Sequence, residues 1–130
     1  MTRDWANISN LLEKYNHFEE CIIEDIRFRN YLGTVEIGLN YIYGLGTDIR
    51  KDIETKRILT LRFHLVESLK FRGGLSSENL KDFDNVNWSL NEIALVELRD
   101  PIESDQLKEV SILWEGDRRI DIKFLEFDIL

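Results

Sequence analysis

Apolar side chains recur at spacings of three and four near the start of the chain: Trp5, Ile8, Leu11, Leu12 and Tyr15. That spacing predicts a helix with one dry face, capped by Asp4 or, in a shorter version, by Ser9. Phe18 carries the apolar face onward, and the helix is expected to cover one side of a sheet.

From Cys21 the period shortens to two, the signature of half-buried strands. In 21–29, Ile22, Ile26 and Phe28 share a face with Glu24, while Ile23, Asp25, Arg27 and Arg29 share the other. In 34–43, Val35, Ile37, Leu39, Tyr41 and Tyr43 point one way and Glu36, Gly38 and Asn40 the other. In 56–67, Leu59, Leu61, Phe63 and Leu65 form the inner face, and Thr60, Arg62 and His64 the outer. Leu69 and Phe71 resume the alternation after Ser68, which marks a candidate bulge. Asn30 to Gly33 reads as a hairpin turn, and Gly44 to Thr55 as a longer loop.

The second half begins after Gly73-Gly74. Ser76 to Phe83 reads as a short helix capped by Ser76 or Ser77. Val86 to Leu98 returns to strand, and Arg99 to Gln106 is a loop holding the sole proline, Pro101. Val110, Ile112 and Trp114 alternate, and Glu115 to Arg118 turns. Ile120, Ile122 and Phe124 alternate in one phase, Leu125, Phe127 and Ile129 in the other. That phase switch predicts a bulge, or a final strand buried on both faces. The whole is expected to be α+β, mainly β. It is a curved or two-layered antiparallel sheet of six to eight strands, with an N-terminal helix and one short central helix.

Length and composition fit a single domain over 1–130. The lone cysteine, Cys21, excludes an internal disulfide. No apolar run approaches the roughly 20 residues that span a bilayer, and residues 1–10 lack a leader pattern, so a cytoplasmic setting is expected. The net charge of −8 argues against nucleic acid and anionic membrane as partners.

Charge is unevenly distributed. Residues 76–105 hold eight acidic and two basic side chains, net −6, whereas 31–75 hold five and seven, net +2. The acidic members include Glu78, Asp82, Asp84, Glu92, Glu97, Asp100, Glu103 and Asp105. Such a field steers a basic protein partner, and otherwise serves solubility. Trp88 lies inside this stretch and is the tryptophan most expected to be partly exposed. The candidate partner-binding set is therefore Glu78, Asp82, Asp84, Trp88, Asp100, Glu103 and Asp105.

Other chemistry is sparse. His17, Cys21 and His64 are too few, at unsuitable spacing, for a metal site. Glu19, Glu20, Glu24 and Asp25 are expected to form a solvated acidic surface rather than a carboxylate pair in a cleft. The pairs Gly44/Gly46 and Gly73/Gly74 lack the spacing of a phosphate cradle. No cofactor or metal is implied.

The Trp-containing start, the short helix ending in Phe18, the strand C-I-I-E-D-I-R-F, the paired hydrophobic strands and the final I-D-I-K-F resemble small bacterial proteins of the immunity class. The nearest resemblance is to the immunity protein 50-like group of polymorphic toxin systems. That group tends to show Phe-His-Asp-Ala where this chain has Phe18-Glu19-Glu20-Cys21, so no role of a His-Asp pair carries over. The resemblance implies a non-catalytic inhibitor that binds a cognate toxin, here through the acidic stretch. Two alternatives stand beside it: a structural or oligomeric accessory protein joined through an exposed edge strand such as the C-terminal one, and a carboxylate-based enzyme.

Overall fold

The computed structural model describes residues 1–31, 33–40, 58–74, 81, 93–101, 106–114 and 118–130. Helix α1 spans Trp5–Lys14 and is capped by Asp4, whose carboxylate accepts from the Asn7 N–H at 3.3 Å. Its apolar stripe buries Ile8 and Leu12. Trp5 is tied down where its indole N–H donates to the Arg99 carbonyl at 2.8 Å.

The chain leaves α1 through an uncommon turn. Asn16, His17 and Phe18 all take positive φ, at 53°, 53° and 55°, and Glu20 follows at 66°. None is a glycine, and each such residue costs roughly 1–2 kcal/mol. Burial of Phe18 offsets this, with its ring stacked on Tyr15 at 5.2 Å.

Among the described residues eight strands follow: β1 (Ile22–Arg29), β2 (Thr34–Asn40), β3 (Ile58–His64), β4 (Ser68–Arg72), β5 (Ile93–Leu98), β6 (Lys108–Trp114), β7 (Arg118–Phe124) and β8 (Glu126–Ile129). They form two antiparallel sheets, in the orders β1-β2-β3-β8 and β4-β7-β6-β5. The fold is thus mainly β, as the alternation predicts. The expected central helix at 76–83 lies outside the described residues, apart from Lys81.

Two strand pairs change sheet. β3 runs into β4 through Leu65–Glu67, and β7 runs into β8 through Leu125. β3 pairs with β8 and β4 with β7, so the four segments form one two-stranded ribbon that bends from layer to layer. At the bend Leu125 N–H donates to the His64 carbonyl at 3.3 Å, and Glu67 N–H to that of Lys123 at 2.8 Å. Such corners join sheets that pack across each other. The phase switch between Phe124 and Leu125 is this corner, not a bulge inside a strand. Ser68 likewise opens β4 rather than marking a bulge, since the bend comes before it. Leu65, expected on the inner face, sits in the bend at φ 53° and is 51% exposed.

A bulge does occur in β1, where the register to β2 shifts between Ile23 and Asp25. Ile23 therefore faces Leu39 and packs against the core, contrary to the simple alternation. The core lies between the sheets. Val35, Ile37, Leu39, Leu61 and Phe63 of one meet Val96, Val110, Ile112, Ile122 and Phe124 of the other. Trp114 is buried with them.

The β1–β2 hairpin closes with a 2.9 Å bond from Gly33 N–H to the Asn30 carbonyl. Asn30 and Tyr31 adopt φ of 52° and 55° in this turn. Positive φ suits asparagine and disfavours a bulky side chain. Tyr31→Gly is expected to raise stability by about 0.5–1 kcal/mol, read as an increased midpoint in urea unfolding.

Candidate functional site

The outer faces of the two sheets each carry a carboxylate locked by arginine. On β2, Glu36 faces away from the core, and the alternation predicts an exposed side chain. It is instead only 3% exposed, because arginines from both neighbouring strands close over it. The register places Arg27 and Arg62 directly opposite Glu36. Arg29 Nε bonds one carboxylate oxygen, and Arg62 holds the other through Nε and Nη2, both at 3.1 Å. Arg27 Nε lies 3.9 Å from Glu36, and Arg27 Nη1 donates to Asp25 at 2.5 Å. Asp25 lies over Gly38, where a Cβ would meet its carboxylate. The hydrogen bond from Arg29 holds the Glu36 carboxyl below its usual range, against an opposing effect of burial, and Arg62 adds to it.

On β7, Asp121 accepts from the Ser111 hydroxyl at 2.6 Å and from Arg119 Nε at 2.8 Å, and Arg99 donates to the same hydroxyl at 3.1 Å. Burial pushes the Asp121 carboxyl up, but the bonds from Arg119 and Ser111 outweigh it and hold it low. Both buried carboxylates are thus kept ionised. An acid catalyst needs the opposite, a carboxyl raised toward neutrality.

The other titratable candidates stay apart. Glu19, Glu20, Glu24 and Asp25 are exposed. Glu24 accepts from Asn40 at 3.2 Å. Cys21 is fully buried, and burial, with Glu20 beside it, pushes its thiol up to about 12. His17 Nδ1 lies 3.3 Å from the Val96 carbonyl, and His64 Nδ1 lies 3.2 Å from the Thr34 hydroxyl. Among the described residues no group of three His, Cys, Asp or Glu side chains is placed to hold a metal ion. No helix among them is long and apolar enough to cross a membrane.

Of the seven acidic-surface candidates, only Asp100 falls on the described residues, and it is exposed. Glu78, Asp82, Asp84, Trp88, Glu103 and Asp105 lie outside them. Glu97 on β5, from the same stretch, sits 3.8 Å from Arg99 just beyond the strand.

The sheet edges are more informative. Among the described residues, each sheet has one edge met by other parts of the chain. Thr2 pairs with Phe127 of β8 by two 2.9 Å backbone bonds, so the C-terminal strand is covered at that point. Arg3 fastens this segment to Glu126, and the Lys108 ammonium holds the Arg3 and Gln106 carbonyls at 2.8 and 2.6 Å. On β5, Glu20 N–H donates to the Ile93 carbonyl, and Ile93 N–H donates to that of Cys21. The remaining edges, β1 and β4, carry no further strand among the described residues.

A groove of about 470 Å³ lies between these two edges, lined by Phe28 and Tyr31 on one side and Val66 and Leu69 on the other. Phe28 is 52% exposed and Phe71 53%, although both alternate with outer-face residues, and Tyr31 is fully exposed. Phe71 meets the Trp114 ring edge-on at 5.8 Å. On β4, Lys70 and Arg72 are exposed and form no ion pair among the described residues. These residues escape a search based on composition, because the acidic stretch dominates the charge. The available signal is local: Ser68-Leu69-Lys70-Phe71-Arg72 puts cations on the wet face of a five-residue strand.

No protein-family model matches the chain, and no curated protein matches it. Among solved structures it is similar to an uncharacterized protein from Neisseria gonorrhoeae. The TM-score is 0.54 at 13% identity, over 86% of this chain and 91% of that one. At that identity the likeness concerns the fold alone.

Proposed function

We propose that this protein is a non-catalytic binding protein, and that the edge of β4 takes an extended segment of a partner protein. The alternate side chains of that segment are apolar and acidic. The observation that carries this reading is β4 itself: an edge that carries no further strand among the described residues, with Leu69 and Phe71 on its apolar side and the exposed cations Lys70 and Arg72 on the other, Arg72 near enough to act on the Asp121 carboxyl. An added strand completes the backbone ladder, while side-chain pockets give specificity. Half-exposed Phe71, backed by Trp114, supplies an aromatic anchor. A second copy of β4 is a poor occupant, because antiparallel self-pairing about Phe71 sets Lys70 opposite Arg72 of the other copy.

A labelled peptide of alternating Glu and Ile tests this by fluorescence anisotropy. Binding is expected, weakening with added salt and falling at least tenfold in the Lys70→Glu/Arg72→Glu variant. Equal binding to that variant would overturn the reading.

The charge of residues 76–105 favours a second reading, an immunity-type inhibitor that meets a basic toxin through Asp82, Asp84 and their neighbours. The Lys-for-Glu version of the same peptide probes it. Binding of that peptide, lost on Asp82→Lys and Asp84→Lys and indifferent to Lys70 and Arg72, would support the acidic surface instead.

A further inference from the structure

The other edge that carries no further strand among the described residues, β1, has the charge pattern that β4 lacks. Its outer face presents Asp25, Arg27 and Arg29, and its inner face Ile26 and partly exposed Phe28. β1 spans eight residues, and the bulge at Glu24 leaves Asp25 to Arg29 as its regular stretch. Half of the N–H and C=O groups of an edge strand point away from its one neighbour and remain available to another strand.

We infer that β1 pairs with β1 of a second copy of this chain, antiparallel and in the register that places Arg27 on the two-fold axis. In that register Asp25 of each copy stands opposite Arg29 of the other, and Ile26 opposite Phe28. Each match occurs twice, as an isologous contact requires. Cross-strand pairs of opposite charge and of apolar side chains both stabilise a ladder. The two Arg27 side chains meet at the axis, but each guanidinium is already held by Asp25 at 2.5 Å and lies 3.9 Å from Glu36. The alternative register, centred on Ile26, sets Phe28 against the bulged Glu24 and is disfavoured. Pairing joins the two copies of the β1-β2-β3-β8 sheet into one eight-stranded surface, covers Ile26 and Phe28, and leaves β4 open. This inference does not depend on the partner proposed for β4.

Sedimentation equilibrium of the whole chain is expected to show a monomer–dimer equilibrium. Asp25→Arg alone puts arginine opposite arginine, and Arg29→Asp alone puts aspartate opposite aspartate. Each is expected to weaken association at least tenfold. An equimolar mixture of the two variants restores both opposite-charge pairs and is expected to form a heterodimer. That rescue is specific to the Arg27-centred register, and thermal melts establish that each variant is folded. Independently of those reversals, Arg27→Cys places two thiols face to face at the axis and is expected to give a disulfide-linked dimer on mild oxidation. Buried Cys21 stays unreactive under the same treatment. A wild-type chain that stays monomeric at millimolar concentration would overturn the inference. So would a dimer indifferent to both reversals, a mixture that does not associate, or an Arg27→Cys chain that does not cross-link.

Discussion

Truncating Phe63 to alanine is expected to destabilise the protein by about 3–5 kcal/mol, measured by urea unfolding at neutral pH. Phe63 is fully buried and sits where the ribbon changes sheet. Its ring meets Phe124 edge-on at 5.0 Å and Phe127 at 5.1 Å, and those two lie 6.2 Å apart. The three rings therefore fill the angle between β3, the end of β7 and the start of β8. Alanine leaves a void bounded by two bent strands that cannot collapse into it without moving the corner, so the effect belongs at the upper end for a core phenylalanine. Phe63→Leu refills most of the volume and is expected to lose less than half as much. Equal losses for the two variants would show that the corner is not packed in this way.

Glu36→Gln is expected to cost about 2 kcal/mol at neutral pH, the usual scale for hydrogen bonds to a charged group. The amide keeps the shape of the side chain but offers Arg27, Arg29 and Arg62 no negative charge. Its effect should depend on pH in a defined direction. The folded state holds the Glu36 and Asp121 carboxyls low, so their stabilisation is complete above the unfolded-state carboxylate values near pH 4 and is lost as pH falls through the lower folded values. Wild type and Glu36→Gln should therefore differ most at neutral pH and converge as pH falls through the lowered folded-state value of Glu36. Stability curves that stay parallel down to pH 2 would contradict the assignment.

Much of this architecture is legible along the chain. The inner faces of β2, β6 and β7 follow from strict alternation at Val35/Ile37/Leu39, Val110/Ile112/Trp114 and Ile120/Ile122/Phe124. The break at Leu125 is visible as a change of phase, but a phase change alone does not distinguish a bulge from a corner. The partner strand decides, and β3 is far away in sequence. Leu65 misleads for the same reason: its phase is correct, and the bend removes it from the face that its phase implies. Glu36 is legible as outward and illegible as buried, because what covers it comes from strands on both sides. The candidate site is harder still. Whether an edge is bare depends on where Thr2 and the Glu20–Cys21 segment dock, and no local pattern records that. The acidic stretch is the reverse case: conspicuous in composition, with only Asp100 of its selected residues on the described structure.

The sheet-changing ribbon has a mechanical consequence. Two layers stitched by continuous strands cannot slide past one another or hinge apart without tearing the ladder at His64 and Leu125. A guest of the kind proposed above would therefore be received at the rim, where β1 and β4 end their sheets among the described residues, and not by prising the interior open. Binding should leave the arrangement of the layers unchanged and register instead as slowed hydrogen exchange confined to the edge it occupies.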